Sequence, residues 1–370
     1  MSRGALVLLF PATAVPMLAG LVLPRRGLVG LCAMIAVSTG LLTDLGILYA
    51  AHTLVVGLVA GHLVAPCRQR SCVIRAGGAS GLAALVSGLS VAALANASVG
   101  AGEALASAAG AFAGAAAGGL AALAFSRPVE WVFGYSTKLG LMELLSYDHP
   151  LLLRFMERAP GTFQHSVSVA MLARTGAEAI GADALLVRVG ALYHDVGKME
   201  APRFFTENQR DGNPHDAMTP RESARVILAH VAQGVDLLTH HRVGRRVADF
   251  AREHHGTGTL TVFLQKAGAS GAQPDVSDYR YPGPRPRSKE TAVLMMADKI
   301  EATVRSRGAA AEAEFRAIVD GTIDTLQADG QFDDSPLTMG DLAKLRQAFV
   351  SGLVSLLHTR VDYPAAARHP

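Results

Sequence analysis

Hydrophobic positions divide the chain into two regimes that meet near residue 126. Before that point apolar residues run almost unbroken, in windows near 5–23, 27–43, 46–65, 76–97 and 103–125. A helix rises 1.5 Å per residue, so roughly 20 apolar residues cross a hydrocarbon layer of about 30 Å. The pattern therefore predicts about five spanning helices. All five windows are rich in Gly and Ala, which suits close helix packing in lipid and weakens each hydropathy signal. Only Asp44 and Gly46, in "LLTDLGILYAAH", separate the second window from the third. Asp44 is read as a residue at a membrane edge or a polar helix contact, with a functional intramembrane carboxylate as the alternative. The alternative for the first window is a cleaved signal peptide, but only Arg3 precedes its apolar run and the stronger charges follow it.

From "SRPVEWVFGYSTKLGLMELLSYDHP" onward, apolar and charged positions mix at helical spacing. Residues 127–150 read as a juxtamembrane connector, with Trp131 where an interfacial anchor would sit. Residues 151–370 read as a succession of helices set off by start and stop signals. "TFQHSVSVAMLARTGAEAIG" runs from a possible Thr162 cap to Gly181, and "ADALLVRVGALYHDVGK" follows. "TPRE" is a capping box with Thr219 at the N-cap, Pro220 at N1 and Glu222 at N3. "RVADFAREHHG" closes at Gly256, Ser288 caps "SKETAVLMMADKIEATVRS", and a last helix pair completes the unit. Without a strand pattern or a repeat, the fold class is all-α: a polytopic transmembrane helical domain (1–126), the connector, and a helical bundle (151–370). Residues 257–287 are too rich in Gly and Pro for a continuous helix, and loops of that length are usually functional or disordered.

Charge sharpens the division. Residues 1–126 hold six arginines, no lysine and two acids, whereas the remainder holds 28 basic and 29 acidic residues. The basic excess thus belongs to loops beside apolar segments, and nucleic acid is not an expected partner. Lys and Arg accumulate on the cytoplasmic side. The "PRRG" loop, the "CRQRSCVIRAGG" loop and Arg127 all face inward if five spans start outside, which makes the lipid bilayer a partner and predicts a multi-pass protein of the cell (inner) membrane with a cytoplasmic catalytic domain. Cys32, Cys67 and Cys72 lack further ligands for zinc and read as free thiols of a reducing compartment.

The polar half carries the chemistry. "ALYHDVGKM" sets His194 and Asp195 side by side in an apolar run, and His165, His230, His254, His255 and Asp298 each fall near a helix centre or end. Imidazoles and carboxylates borne on separate helices hold metal ions rigidly when they converge. Spacing alone leaves convergence open, since an isolated buried histidine is more often a core residue. His240 and His241 read as a surface pair in a basic break. His215 and Asp216 read as turn chemistry ahead of the capping box.

"HDVGK" resembles the HD-domain phosphohydrolase signature, and the order H…HD…H…HH…D is similar to that of its dinuclear members. More narrowly, "APGTFQHSVSVA", "VGALYHDVGKMEAPRFFTENQ", "NPHD", "EHHGT", "YRYPGPRPRSKE" and "MADKIEATVRS" resemble the catalytic half of the seven-transmembrane HD-domain family of cyclic di-AMP phosphodiesterases, over about residues 145–364 including the closing "DYP". The membrane half resembles that family in type only, since about seven spans are usual there. The resemblance implies one divalent ion on His165, His194, Asp195 and Asp298 and another on His230, His254 and His255, with Asp195 bridging. It implies a metal-activated water attacking cyclic di-AMP, with Asp195 and Lys198 as catalytic residues; Lys198 would meet a phosphate oxygen from one helical turn beyond Asp195. Tyr279, Arg280, Tyr281 and Arg285 would contact a base and phosphate if the long loop folds over the site. Mixed His and carboxylate ligation suits iron or manganese better than zinc. Gly256 stands where HD-type hydrolases of cyclic di-GMP continue with Glu, which disfavours that substrate. The alternatives are another nucleotide, such as a linear dinucleotide or a guanosine polyphosphate, and a membrane receptor that binds nucleotide without turnover. Oligomeric state stays open, a homo-oligomer included.

Overall fold

The computed structural model describes residues 13–43, 46–95, 100–134, 136–210, 212–269 and 273–357. It forms two compact units, Met1–Leu144 and Leu145–Pro370. Both are α-helical, and no strand occurs among the described residues apart from an isolated bridge between Thr259 and Arg280. The all-α expectation is borne out.

The first unit contains α1 (Ala14–Val22), α2 (Arg25–Leu42), α3 (Gly46–Val64), α4 (Arg70–Ala95), α5 (Ala101–Phe133) and α6 (Lys138–Leu144). Helices α2, α3, α4 and α5 are long and apolar enough to cross a membrane. The window expected at 5–23 overlaps α1, which has nine residues; its residues 5–12 lie outside the described residues, as does Asp44. Consecutive helices pack pairwise from α2 to α5, and α1 lies against α3 and α5. Small residues let α4 and α5 approach closely: a Cβ on Gly77 of α4 would lie 3.1 Å from Cα of Gly119 on α5. The outside is apolar, with Leu41, Leu42 and Ile47 more than 80% exposed, as a helical bundle in hydrocarbon requires. Helix α5 continues through Pro128 to Phe133, so the stretch expected to connect the domains begins as helix, with Trp131 exposed on it. The cysteine expectation is corrected. Cys67 and Cys72 form a disulfide across the turn between α3 and α4, because that turn brings their Cα atoms to 5.5 Å, within bonding range. Cys32 is a buried free thiol.

The second unit contains α7 (Pro150–Arg158), α8 (Pro160–Ala179), α9 (Ala184–Tyr193), a 3-10 turn at Val196–Glu200, α10 (Pro220–His240), α11 (Arg245–Glu253), α12 (Thr261–Ala269), α13 (Lys289–Arg307), α14 (Glu312–Ala328) and α15 (Met339–Leu357). Helix α8 packs against α9, α13 and α15, and α10 packs against the 3-10 turn, α11 and α12. Every residue from Thr291 to Asp298 of α13 is buried, as expected of a helix enclosed by its neighbours. Phe155, Tyr193 and Phe250 are fully buried, each contributing roughly 1.5–3 kcal/mol of transfer free energy.

Local signals held at two helix starts and failed at others. Thr219 and Ser288 make the expected capping boxes. Thr162 is not a cap: α8 begins two residues earlier, at Pro160 after Ala159, and the buried Thr162 hydroxyl donates to Glu207 at 2.9 Å. The "HDVGK" run does not continue the helix either, since α9 ends at Tyr193 and the chain tightens into the 3-10 turn. The described part of residues 257–287 is not one continuous helix, as expected, but includes α12, a helix of nine residues.

Gly197 explains the break. A Cβ there would lie 2.0 Å from the carbonyl oxygen of His230 and 2.5 Å from the amide nitrogen of Gly234. The turn after Asp195 therefore presses backbone against backbone on α10. Gly197→Ala should force the two apart and destabilise the protein by about 1–3 kcal/mol, lowering the thermal midpoint by roughly 2–12 °C in circular-dichroism melts; an unchanged midpoint would show that this contact is not tight.

Candidate metal centre

Five helices and the step after α9 deliver the seven predicted ligands to one buried point. His165 comes from α8, His194 from the end of α9, Asp195 from the step into the 3-10 turn, His230 from α10, His254 and His255 from the end of α11, and Asp298 from α13. All are buried except the partly buried His255. Their potential ligand atoms fall into two groups, each within a span of 4.8 Å: His165, His194, Asp195 and Asp298, and Asp195, His230, His254 and His255.

Asp195 belongs to both groups, and its two oxygens divide between them. Oδ2 lies 3.3 Å from His194 Nε2 and 3.9 Å from His165 Nε2. Oδ1 lies 3.4 Å from His230 Nε2 and 3.5 Å from His254 Nε2. Asp298 closes the first group, with Oδ1 2.9 Å from His165 Nε2 and 3.5 Å from His194 Nε2.

The histidines are aimed from behind. His194, His230 and His254 donate from Nδ1 to the carbonyl three residues back, those of Ala191 (2.7 Å), Ile227 (2.5 Å) and Ala251 (2.9 Å). That bond sets the tautomer and leaves Nε2 free to bind a cation. His165 differs, because its Nδ1 meets Glu301 Oε2 at 2.5 Å.

The electrostatics suit a cation. Burial opposes charge on Asp195, yet His194 and Lys198 hold its carboxyl well below the usual range. Asp298 is held down in the same way by His165 and His194. Burial pushes His230 to about 3 and, helped by His254, takes His255 well below its ordinary value. Burial also acts against charge on His194, but Asp195 and Asp298 outweigh it and raise this imidazole to about 10. His194 Nε2 and Asp195 Oδ1 are buried and make no hydrogen bond among the described residues. Polar atoms left so in a core are unusual, and a divalent cation would satisfy both. The donor set fits divalent metal ions.

Lys198 reaches Asp195 through the 3-10 turn, not along a helix. Its Nζ lies 2.7 Å from Asp195 Oδ2, 3.2 Å from Glu207 Oε1 and 4.9 Å from the centre of the Phe205 ring. Of the loop residues expected at substrate, Tyr281 stands beside the centre, stacked on His255 with ring centres 4.2 Å apart. The other three are engaged elsewhere. Tyr279 is buried with Ala224 and Ala267, Arg280 donates to the Thr257 carbonyl at 2.7 Å, and Arg285 pairs with Asp333 at 3.1 Å. His215 is buried, its Nε2 2.9 Å from the Phe204 carbonyl oxygen, while His240 is exposed at the end of α10. Sequence reasoning missed Glu301, Glu207 and Phe205. Glu301 carried a signal, standing one helical turn beyond Asp298; the other two lie in "FFTENQ", whose path no periodicity revealed.

Residues 162–303 match the HD domain family, and residues 2–137 match the family described as 7TM receptor with intracellular HD hydrolase. The chain is similar to the cyclic-di-AMP phosphodiesterase PgpH of Bacillus subtilis, at 39% identity over 240 residues, 65% of this chain and 34% of that protein. Its similarity to PgpH of Listeria monocytogenes is 41% over 236 residues, 64% of this chain and 33% of that one. The chain thus spans about a third of the length of these curated relatives. The crystal structure of the L. monocytogenes PgpH HD domain in complex with cyclic-di-AMP is 40% identical, with a TM-score of 0.56, and the match covers 58% of this chain and all of that one.

Metal and proton compete for His194. Below about pH 10 the metal-free imidazole carries a proton that a metal must displace, so affinity should rise with pH by about tenfold per unit for each proton released. Mn(II) titrations of chelator-stripped protein between pH 6.5 and 8.5 would measure the slope, and a flat profile would contradict the assignment of His194 as a ligand.

Proposed function

Because the chain belongs to the family of 7TM receptors with an intracellular HD hydrolase, we propose that it is a membrane-anchored, metal-dependent phosphodiesterase that hydrolyses cyclic di-AMP to the linear dinucleotide. The observation that carries this reading is Asp195, whose two oxygens face two separate groups of imidazoles within one buried cluster. His165, His194, Asp195 and Asp298 would hold one divalent ion and Asp195, His230, His254 and His255 the other, iron or manganese by the mixed donor set, and such ions would acidify a water and offer positive charge to the attacking and leaving oxygens at phosphorus.

The chain's own residues do the rest. Asp195 and Asp298 stay ionised and provide the negative charge that a pair of cations requires. Lys198 stays charged, since Asp195 and Glu207 outweigh its burial, and its ammonium lies at the edge of the centre, where it meets a phosphate oxygen of the substrate. Tyr281 keeps its phenol protonated through burial; stacked on His255, it forms a wall against which a base can rest. Choice of cyclic di-AMP is supported by the similarity to the two PgpH proteins and to the HD domain solved with that nucleotide.

The membrane reading is a multi-pass protein of the cell membrane with the HD unit in the cytoplasm. If α2 to α5 each cross once, Arg25 and Arg26, the Arg68–Arg75 turn and Arg127 share one side, and arginine marks the cytoplasmic side. The Cys67–Cys72 disulfide lies on that side as well, and cytosolic disulfides are uncommon; three arginine groups outweigh one cysteine pair.

The test is hydrolysis of cyclic di-AMP by the full chain in detergent, loaded anaerobically with Mn(II) or Fe(II). Wild type should yield the linear dinucleotide and lose turnover on chelation. Asp195→Ala should lower kcat/KM by at least about 10³-fold, equivalent to ~4 kcal/mol, with the helical circular dichroism unchanged. Near-normal turnover by this variant would refute the mechanism, and conversion of cyclic di-GMP in preference would refute the substrate.

A further inference from the structure

The two groups that share Asp195 differ in charge. Lys198 sits on Asp195 Oδ2, but Glu207, 3.2 Å away, balances it. Beyond the shared carboxylate, the first group then has Asp298 and, behind His165, Glu301. The second group has three imidazoles and no further carboxylate: Glu253, next to His254 in sequence, turns away to accept from the Arg287 amide at 3.0 Å and the Thr291 hydroxyl at 2.7 Å.

Glu301 and Asp298 stand one turn apart on α13 and grip opposite nitrogens of His165, Asp298 Oδ1 at Nε2 (2.9 Å) and Glu301 Oε2 at Nδ1 (2.5 Å). The other three aligned imidazoles lean on neutral carbonyls. A carboxylate behind a ligating imidazole raises its basicity and fixes its orientation more strongly than a carbonyl does. Among the described residues, the only other ionic contact of Glu301 is a distant one, with the exposed Arg305 at 3.8 Å.

We infer that the two metal positions are unequal, and that Glu301, acting through His165 as a positioning residue, makes the Asp298 position the tighter one and the first to fill. This rests on the metal-centre reading and goes beyond it. Repulsion between two cations would by itself split the affinities of twin sites, so the assignment depends on variants that separate the positions.

The experiment is a Mn(II) titration of the chelator-stripped full chain in detergent, following free Mn(II) by electron paramagnetic resonance. Wild type should bind in two steps at least tenfold apart. His230→Ala should lose the weaker step and keep the tighter. Glu301→Gln should weaken the tighter step about 10- to 100-fold, both alone and combined with His230→Ala, and by itself should move the weaker step less than about threefold. Glu301→Asp, which keeps the charge, should restore part of the loss, and circular dichroism shows that each variant is folded. One affinity for both ions in wild type, or a tighter step untouched by Glu301→Gln, would overturn the inference. No substrate enters the titration. Two-step binding with this variant pattern, in a chain that leaves cyclic di-AMP intact, would refute the proposed reaction and support the inequality; a chain that binds no Mn(II) would refute both.

Discussion

The contact on which the catalytic half depends is the burial of the Asp195 carboxylate among four imidazoles. An ionised carboxylate taken out of water is costly unless its charge is met from several sides. Here His194 and the Lys198 ammonium meet the charge at Oδ2, with His165 Nε2 at 3.9 Å, while Oδ1 faces His230 and His254 with no hydrogen bond among the described residues, where a cation would answer it. No one helix offers such an arrangement. It needs α8, α9, α10 and α11 to converge, which makes the geometry of the site and the packing of the bundle a single problem.

Close backbone approach solves it. The turn after Asp195 touches α10 at His230 because residue 197 has no side chain, and that contact lets one carboxylate face both halves of the centre. Rigidity is then supplied from behind the ligands. Three imidazoles lean on carbonyls of their own helical turns, so wherever those helices go the ring nitrogens follow. His165, in an interior turn of α8, is held across the bundle by Glu301 of α13 instead. A ligand fixed by its own helix and a ligand fixed by another element respond differently to strain, and the second kind ties the metal centre to the packing of α8 on α13.

The membrane half obeys different physics. Its helices associate through small residues and present large apolar side chains outward, as lipid-facing helices do. Hydropathy therefore reports its existence well and its detail poorly, because Gly and Ala mark both close packing and weak spans. Cysteine pairing is equally hidden, since whether Cys67 and Cys72 meet is decided by the turn between two helices and not by their spacing.

What the sequence determined by itself is what local physics and residue chemistry control: two regimes of hydrophobicity, an all-α architecture, the capping boxes at Thr219 and Ser288, and a set of seven histidines and aspartates whose order resembles one hydrolase family. The tertiary structure decided the rest. It ended α9 at Tyr193 where periodicity would have run on, started α8 ahead of Thr162 and turned that hydroxyl to Glu207, and drew Tyr279, Arg280 and Arg285 into contacts of their own while leaving Tyr281 at the centre. It also brought Glu301 and Glu207 to the site. Helix periodicity and capping are properties of a few consecutive residues, whereas the partner of a buried charge comes from whichever element packs against it, and that is known only once the chain has folded.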